Sequence, residues 1–164
     1  MTLSEQLSVI NRFRKQAPVD VEALAKALGI GVRYAFLDAE VSGMIERSKD
    51  GRCVITVNAA DPPTRQRFTL AHEISHYMLH RHLIGDGLDD DRAYRSTAVG
   101  KYHNTNIGPK HETEANKLAA SILMPHELID DLKRKGHQNP AQLARALNVS
   151  EHAMSIRISV PYDG

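Results

Sequence analysis

The chain has 164 residues, 41% of them hydrophobic and 25% charged, and 21 basic against 20 acidic side chains leave a net charge of +1. That composition suits one globular domain with a substantial core, with room for a small appendage. It excludes disordered and fibrous classes, and any global field steering the chain to nucleic acid or a membrane. A single cysteine, Cys53, excludes an internal disulfide framework. Residues 1–10 lack the basic start and apolar run of a secretory signal, and no stretch approaches the ~18 apolar residues of a membrane span. The expectation is a cytoplasmic protein.

In chain order, Leu3, Leu7, Ile10 and Phe13 recur at helical spacing, which predicts an amphipathic helix that Pro18 interrupts. A second helix is expected from the N-cap Asp20 to Leu28, with Gly29 as its C-cap. Residues 32–37, 41–46 and 52–58 are short apolar or β-branched runs, and Asp50-Gly51 signals a tight hairpin between the last two. They predict a small, largely antiparallel sheet of three strands, whose last member could offer its edge to an extended substrate. Cys53 lies in that strand and reads as a buried structural thiol.

Asp61-Pro62-Pro63-Thr64 ends the strand and opens a helix over residues 64–80, with Phe68, Leu70, Ala71, Ile74, Met78 and Leu79 as its apolar stripe. Residues 85–109 carry glycines and an Asp-Asp-Asp run without periodicity, which predicts a long surface loop. Helical pattern returns over residues 110–124 and ends at Pro125. Three short helices are expected after it, over 126–135, 140–147 and 150–158.

Chemistry concentrates in His72-Glu73-Ile74-Ser75-His76. Histidines four apart on a helix project from one face about 6 Å apart, a separation from which two imidazoles can grip one zinc at about 2.0–2.1 Å. Glu73 is turned roughly 100° from His72 and can act as a general base beside the Lewis acid, the pairing that amide hydrolysis needs. The alternative, histidines satisfied in an ordinary core, would bury two imidazoles and a carboxylate near an apolar stripe at substantial cost. The extended form His-Glu-x-x-His-x-x-Gly-x-x-His is half met: His82 fills its last position, but Leu79 replaces the glycine. His80 continues the helix and drifts off the seam. A third ligand is better sought on the next helix, where Glu112 shares a face with Ala115, Ala119 and Ile122, small residues that permit close packing; Glu114, about 200° away, is the alternative.

The run from Phe68 to His80, followed by Glu112-Thr-Glu-Ala-Asn-Lys-Leu-Ala-Ala-Ser-Ile-Leu-Met-Pro125, resembles the ImmA/IrrE metallopeptidase family over residues 18–160. The resemblance implies a gluzincin-like fold, with His72 and His76 as ligands to Zn2+ and Glu73 as catalytic base. Its Glu-x-x-Ala-Asn motif implies Glu112 as third ligand. Family members cleave helix-turn-helix repressors that control mobile elements, phage functions or stress responses. Two departures stand out: Leu118 replaces the usual aromatic, and the 85–109 loop leaves the covering of the cleft open.

The fold class expected is α+β: a three-stranded sheet packed on a zincin-type active-site helix, in a metallopeptidase domain over residues 1–125. A helical subdomain over 126–164 follows, resembling a helix-turn-helix with Asn148-Val149-Ser150 as its turn. The function expected is a zinc endopeptidase acting on a protein substrate, a helix-turn-helix repressor. The rival is a DNA-binding or toxin–antitoxin-type regulator with a structural or degenerate zinc site. Against DNA binding, the second tail helix offers only Arg157 for phosphates or bases. His103, His111, Tyr102 and Tyr77 are candidates, by residue type, for stabilising an oxyanion.

Overall fold

The computed structural model describes residues 1–84 and 107–159. Most of the expected 85–109 loop, with Tyr102 and His103, lies outside the described residues. None of the described helices is long and apolar enough to cross a membrane.

Helix α1 spans Leu3–Phe13 and α2 spans Val21–Ala27. Asp20 caps α2 by accepting from the Ala23 N–H at 3.0 Å, and Gly29 just beyond its end takes φ +80. The buried face of α1 is Gln6, Val9 and Ile10, whereas Leu3 and Leu7 stand 59% and 45% exposed. The sequence pattern marked the helix but placed its inner face a fraction of a turn away.

Strands β1 (Gly31–Ala35), β2 (Gly43–Arg47) and β3 (Cys53–Asn58) form one sheet in the order β1-β3-β2. β2 pairs antiparallel with β3 through the expected hairpin, where Gly51 takes φ +85 and the Ser48 N–H donates to Arg52 O at 2.8 Å. β1 pairs parallel with β3, so the sheet is mixed and not largely antiparallel. The chain from β1 skips the central position, forms β2 at the far edge and returns as β3, which puts β3 in the centre with Ile55 and Val57 fully buried. β3 therefore has no free edge for a substrate; among the described residues the edges belong to β1 and β2. Asn58 ends β3 inside the fold, where its amide donates to the carbonyls of Leu37, Asp38 and Val41 and accepts from the N–H groups of Leu37 and Ala60.

Helix α3 (Pro63–Leu79) begins with proline at its first position, where no donor is lost, and crosses the middle of the molecule. It packs on β2 and β3 on one side and on α4 (Pro109–Leu123) on the other. Every residue from Thr69 to His76 is buried as a result, although Leu79 at the helix end is 45% exposed. Helices α5 (His126–Arg134), α6 (Pro140–Leu147) and α7 (Glu151–Arg157) follow. Asn148 at φ 57, ψ 47 turns the chain between α6 and α7, and Ser150 caps α7 by accepting from Ala153 N–H at 3.0 Å. One hydrophobic cluster runs from Val9 through Leu70 and Ile74 to Leu143 and Met154. Arg67 of α3 fastens the α6–α7 turn by donating to the carbonyls of Asn148 and Leu147 at 3.0 and 3.3 Å. Arg157 donates to Met124 O at 2.9 Å, so the one strong cation of α7 is engaged with the chain's own backbone.

Candidate metal centre

The close packing of α3 on α4 follows from side-chain size. Ala115 and Ala119 are fully buried at the seam, and together with Ile122 they form the face that helical phase assigned to them. One turn earlier on the same face, Glu112 projects beside the α3 histidines. Its Oε1 stands 2.7 Å from His76 Nε2 and 3.6 Å from His72 Nε2, and the two Nε2 atoms are 3.1 Å apart. Donors bound at about 2.0–2.1 Å around a tetrahedral zinc are about 3.4 Å apart, a value these three separations straddle. Two imidazoles and one carboxylate also match the donor set of catalytic zinc sites, which keeps a fourth position open. These residues therefore fit such an ion. Glu73 is fully buried, and one donor atom from each of His72, Glu73 and His76 lies within 4.8 Å of the others.

Electrostatics agree with this clustering. Burial opposes charge on Glu112, but its contacts with His72 and His76 hold its carboxyl down to about 2. Burial pushes His76 below the usual imidazole value and its contact with Glu112 only partly offsets this. For His72, burial acts in the same direction, but Glu112, Glu73 and Asn116 outweigh it and leave the group raised. The site is thus a buried, partly charged cluster that is held together by a carboxylate.

The other expected residues separate. Glu114, the alternative ligand, faces away from the three converging donors and accepts from His80 at 3.0 Å. His80 does not drift off the seam as expected. It is 4% exposed at the C-cap of α3, with Nδ1 2.8 Å from His76 Nδ1. His82 lies exposed in a short turn, Arg81–Leu83, and takes no part. Tyr77 is directed to α1, its hydroxyl accepting from Gln6 at 3.4 Å and its ring covered by Arg81. His111 accepts from the Gly108 N–H and packs edge-on against His80.

A cavity of about 570 Å³ opens from His72 and Glu112. Phe68, Val149, Ala153 and Ile156 give it an apolar wall, and Asn116 and His152 add polar side chains. The sequence reading missed His152 and the whole contribution of α7, because a wall built from distant segments has no local pattern.

Residues 25–159 match the peptidase M78 family, described as the IrrE N-terminal-like domain. The chain is 45% identical over 100 residues to the radiation response metalloprotease IrrE of Deinococcus deserti, a match covering 59% of this chain and 32% of that protein. The IrrE of Deinococcus radiodurans is 41% identical over 100 residues, covering 59% and 28% respectively. The chain thus spans about a third of the length of these relatives. Among solved structures, a Mycobacterium tuberculosis transcriptional regulator superposes with a TM-score of 0.58 at 15% identity, covering 96% of this chain and 47% of the other, a likeness of fold. With the match running from α2 to the end of α7, the chain belongs to the IrrE N-terminal-like, or peptidase M78, family.

Proposed function

We propose that the chain is a zinc-dependent endopeptidase, with His72, His76 and Glu112 holding the metal and Glu73 acting as general base. The observation that carries this reading is the convergence of three donor atoms within 3.6 Å, from two helices, beside a buried glutamate. Zinc held there supplies a Lewis acid for the scissile carbonyl and for water. Glu73 takes a proton from the water whose oxygen attacks the carbonyl carbon. It returns that proton to the amide nitrogen as the C–N bond breaks. Burial keeps Glu73 away from bulk water, and the apolar cavity beside His72 accepts a substrate side chain while Asn116 and His152 offer polar contacts.

The substrate class is a protein, and the regulatory reading is cleavage of a helix-turn-helix transcriptional repressor inside the cell. The names of the Deinococcus relatives support proteolysis, and the family resemblance supports a repressor target. DNA binding through α6 and α7 is the weaker reading, because Arg157 is engaged with Met124 O and α7 turns Ala153 and Ile156 toward the cavity. Mass spectrometry and calorimetry test the centre: about one zinc per chain is expected, lost in His76→Ala and Glu112→Ala. Glu73→Gln should keep zinc and abolish cleavage of a purified helix-turn-helix repressor that the wild type cuts. A wild type that takes up no zinc refutes the proposal.

A further inference from the structure

His76 uses both ring nitrogens. Nε2 faces His72 and Glu112, whereas Nδ1 meets His80 Nδ1 at 2.8 Å; the far nitrogen of His80, Nε2, meets Glu114 Oε1 at 3.0 Å. Glu114, His80 and His76 therefore stand in a file that ends at the candidate metal position. The direction of the hydrogen bonds along this file follows from what each group can do. An ionised carboxylate only accepts, so His80 Nε2 carries a hydrogen. Neutral His80 then has its lone pair on Nδ1, which accepts from Nδ1–H of His76. That leaves His76 with a lone pair on Nε2, the atom aimed at the gap between His72 and Glu112. With the file reversed, a hydrogen would sit on Nε2 and block it.

From this geometry we infer that His80 and Glu114 are positioning residues, which hold His76 in its Nδ1–H tautomer and fix its ring so that Nε2 is presented to a divalent cation. The inference rests on the metal-site reading above. In metalloproteins generally a carboxylate or carbonyl in direct contact with the ligand does this work. Here a second imidazole, 4% exposed, lies between the ligand and a carboxylate at the surface. The same arrangement gives both acids of the Glu112–Glu114 pair a task, one on each side of His76.

The test is zinc affinity, measured by competition with a chromophoric chelator at fixed pH, alongside the visible spectrum of the cobalt-substituted protein. Glu114→Gln replaces the obligate acceptor by an amide that can also donate, and His80→Ala removes the relay. Both should weaken zinc binding by about ten- to a hundredfold and shift the cobalt bands. His80→Asn puts an amide oxygen close to where His80 Nδ1 stood, and should regain most of the affinity and the wild-type spectrum. Should His80→Ala fail to fold, Glu114→Gln, a change at a half-exposed side chain, carries the test alone. Tight zinc binding by the wild type with less than about a twofold change in Glu114→Gln overturns the inference and leaves the metal site standing. Equal losses in His80→Ala and His80→Asn overturn it too, reducing His80 to a space-filler. A wild type without zinc affinity overturns both readings.

Discussion

Gly43 opens β2 opposite Val57 and presses directly against α3. A Cβ built there would stand 2.5 Å from Thr69 Cγ2 and 2.9 Å from the Thr56 carbonyl oxygen. Ordinary packing separates such atoms by about 3.5–4.0 Å, so Gly43→Ala overlaps both neighbours by roughly 0.6–1 Å or more. The Thr69 methyl is on a buried helix one turn before His72, and the Thr56 oxygen belongs to the central strand; neither can retreat cheaply. Overpacking of this kind costs about 1–3 kcal/mol. Thr69→Ser removes the nearer overlap and leaves the carbonyl one, so the double variant should lose less than the sum of the singles by about 1 kcal/mol. Equilibrium urea denaturation of the four proteins in the cycle measures both quantities. A Gly43→Ala protein within about 0.5 kcal/mol of wild type, or strictly additive losses, would refute the argument from close approach.

Three further outcomes are expected. Asn58→Asp buries a carboxyl with one oxygen facing the carbonyls of Leu37, Asp38 and Val41; burial and those carbonyls outweigh the two N–H donors of Leu37 and Ala60 and raise its folded pKa above the unfolded value of about 3.9. Stability is therefore retained below that pH and lost as pH rises. For a rise of about two pKa units, at about 1.4 kcal/mol each, a gap of about 2 kcal/mol should open between pH 4 and pH 7; a pH-independent deficit contradicts it. Arg67→Met keeps the stem but loses both bonds to the α6–α7 turn, which should cost about 1.5–3 kcal/mol. Amide exchange in α6 and α7 should quicken first, and uniform quickening across the chain would count against the tether. Asn148→Val forces a β-branched residue into φ 57, ψ 47 at about 1–2 kcal/mol, whereas Asn148→Gly should melt close to wild type; equal melting of the two would show that the turn relaxes.

Local signals carried the reading of the sequence a long way. The cap at Asp20, the Asp-Gly hairpin and the prolines opening α3 act within a few residues, and each element formed where they placed it. The buried face of α4 was legible because Ala115, Ala119 and Ile122 keep one helical phase, and that phase brought Glu112 rather than Glu114 beside His76. Pairing across the chain was not legible. β1 and β2 are similar short apolar runs, and nothing within them says that β1 skips its neighbour to lie parallel with β3. His80 was misjudged because continuing an ideal helix carries it away from the seam. The real helix ends there, at φ −128 and ψ 27, and its ring turns back to His76.

The donors of the candidate centre all come from α3 and α4, yet the cavity beside them is walled by Val149, Ser150, His152, Ala153 and Ile156. The tail thus shapes part of the space around a centre to which it gives no donor atom, while Phe68 and Asn116 of the donor helices shape another part. Substitutions across the α6–α7 turn can reshape what fits the cavity while every donor atom stays in place. A cavity divided this way can be reshaped from the tail, through Val149, Ala153 and Ile156, with the donor helices left as they are.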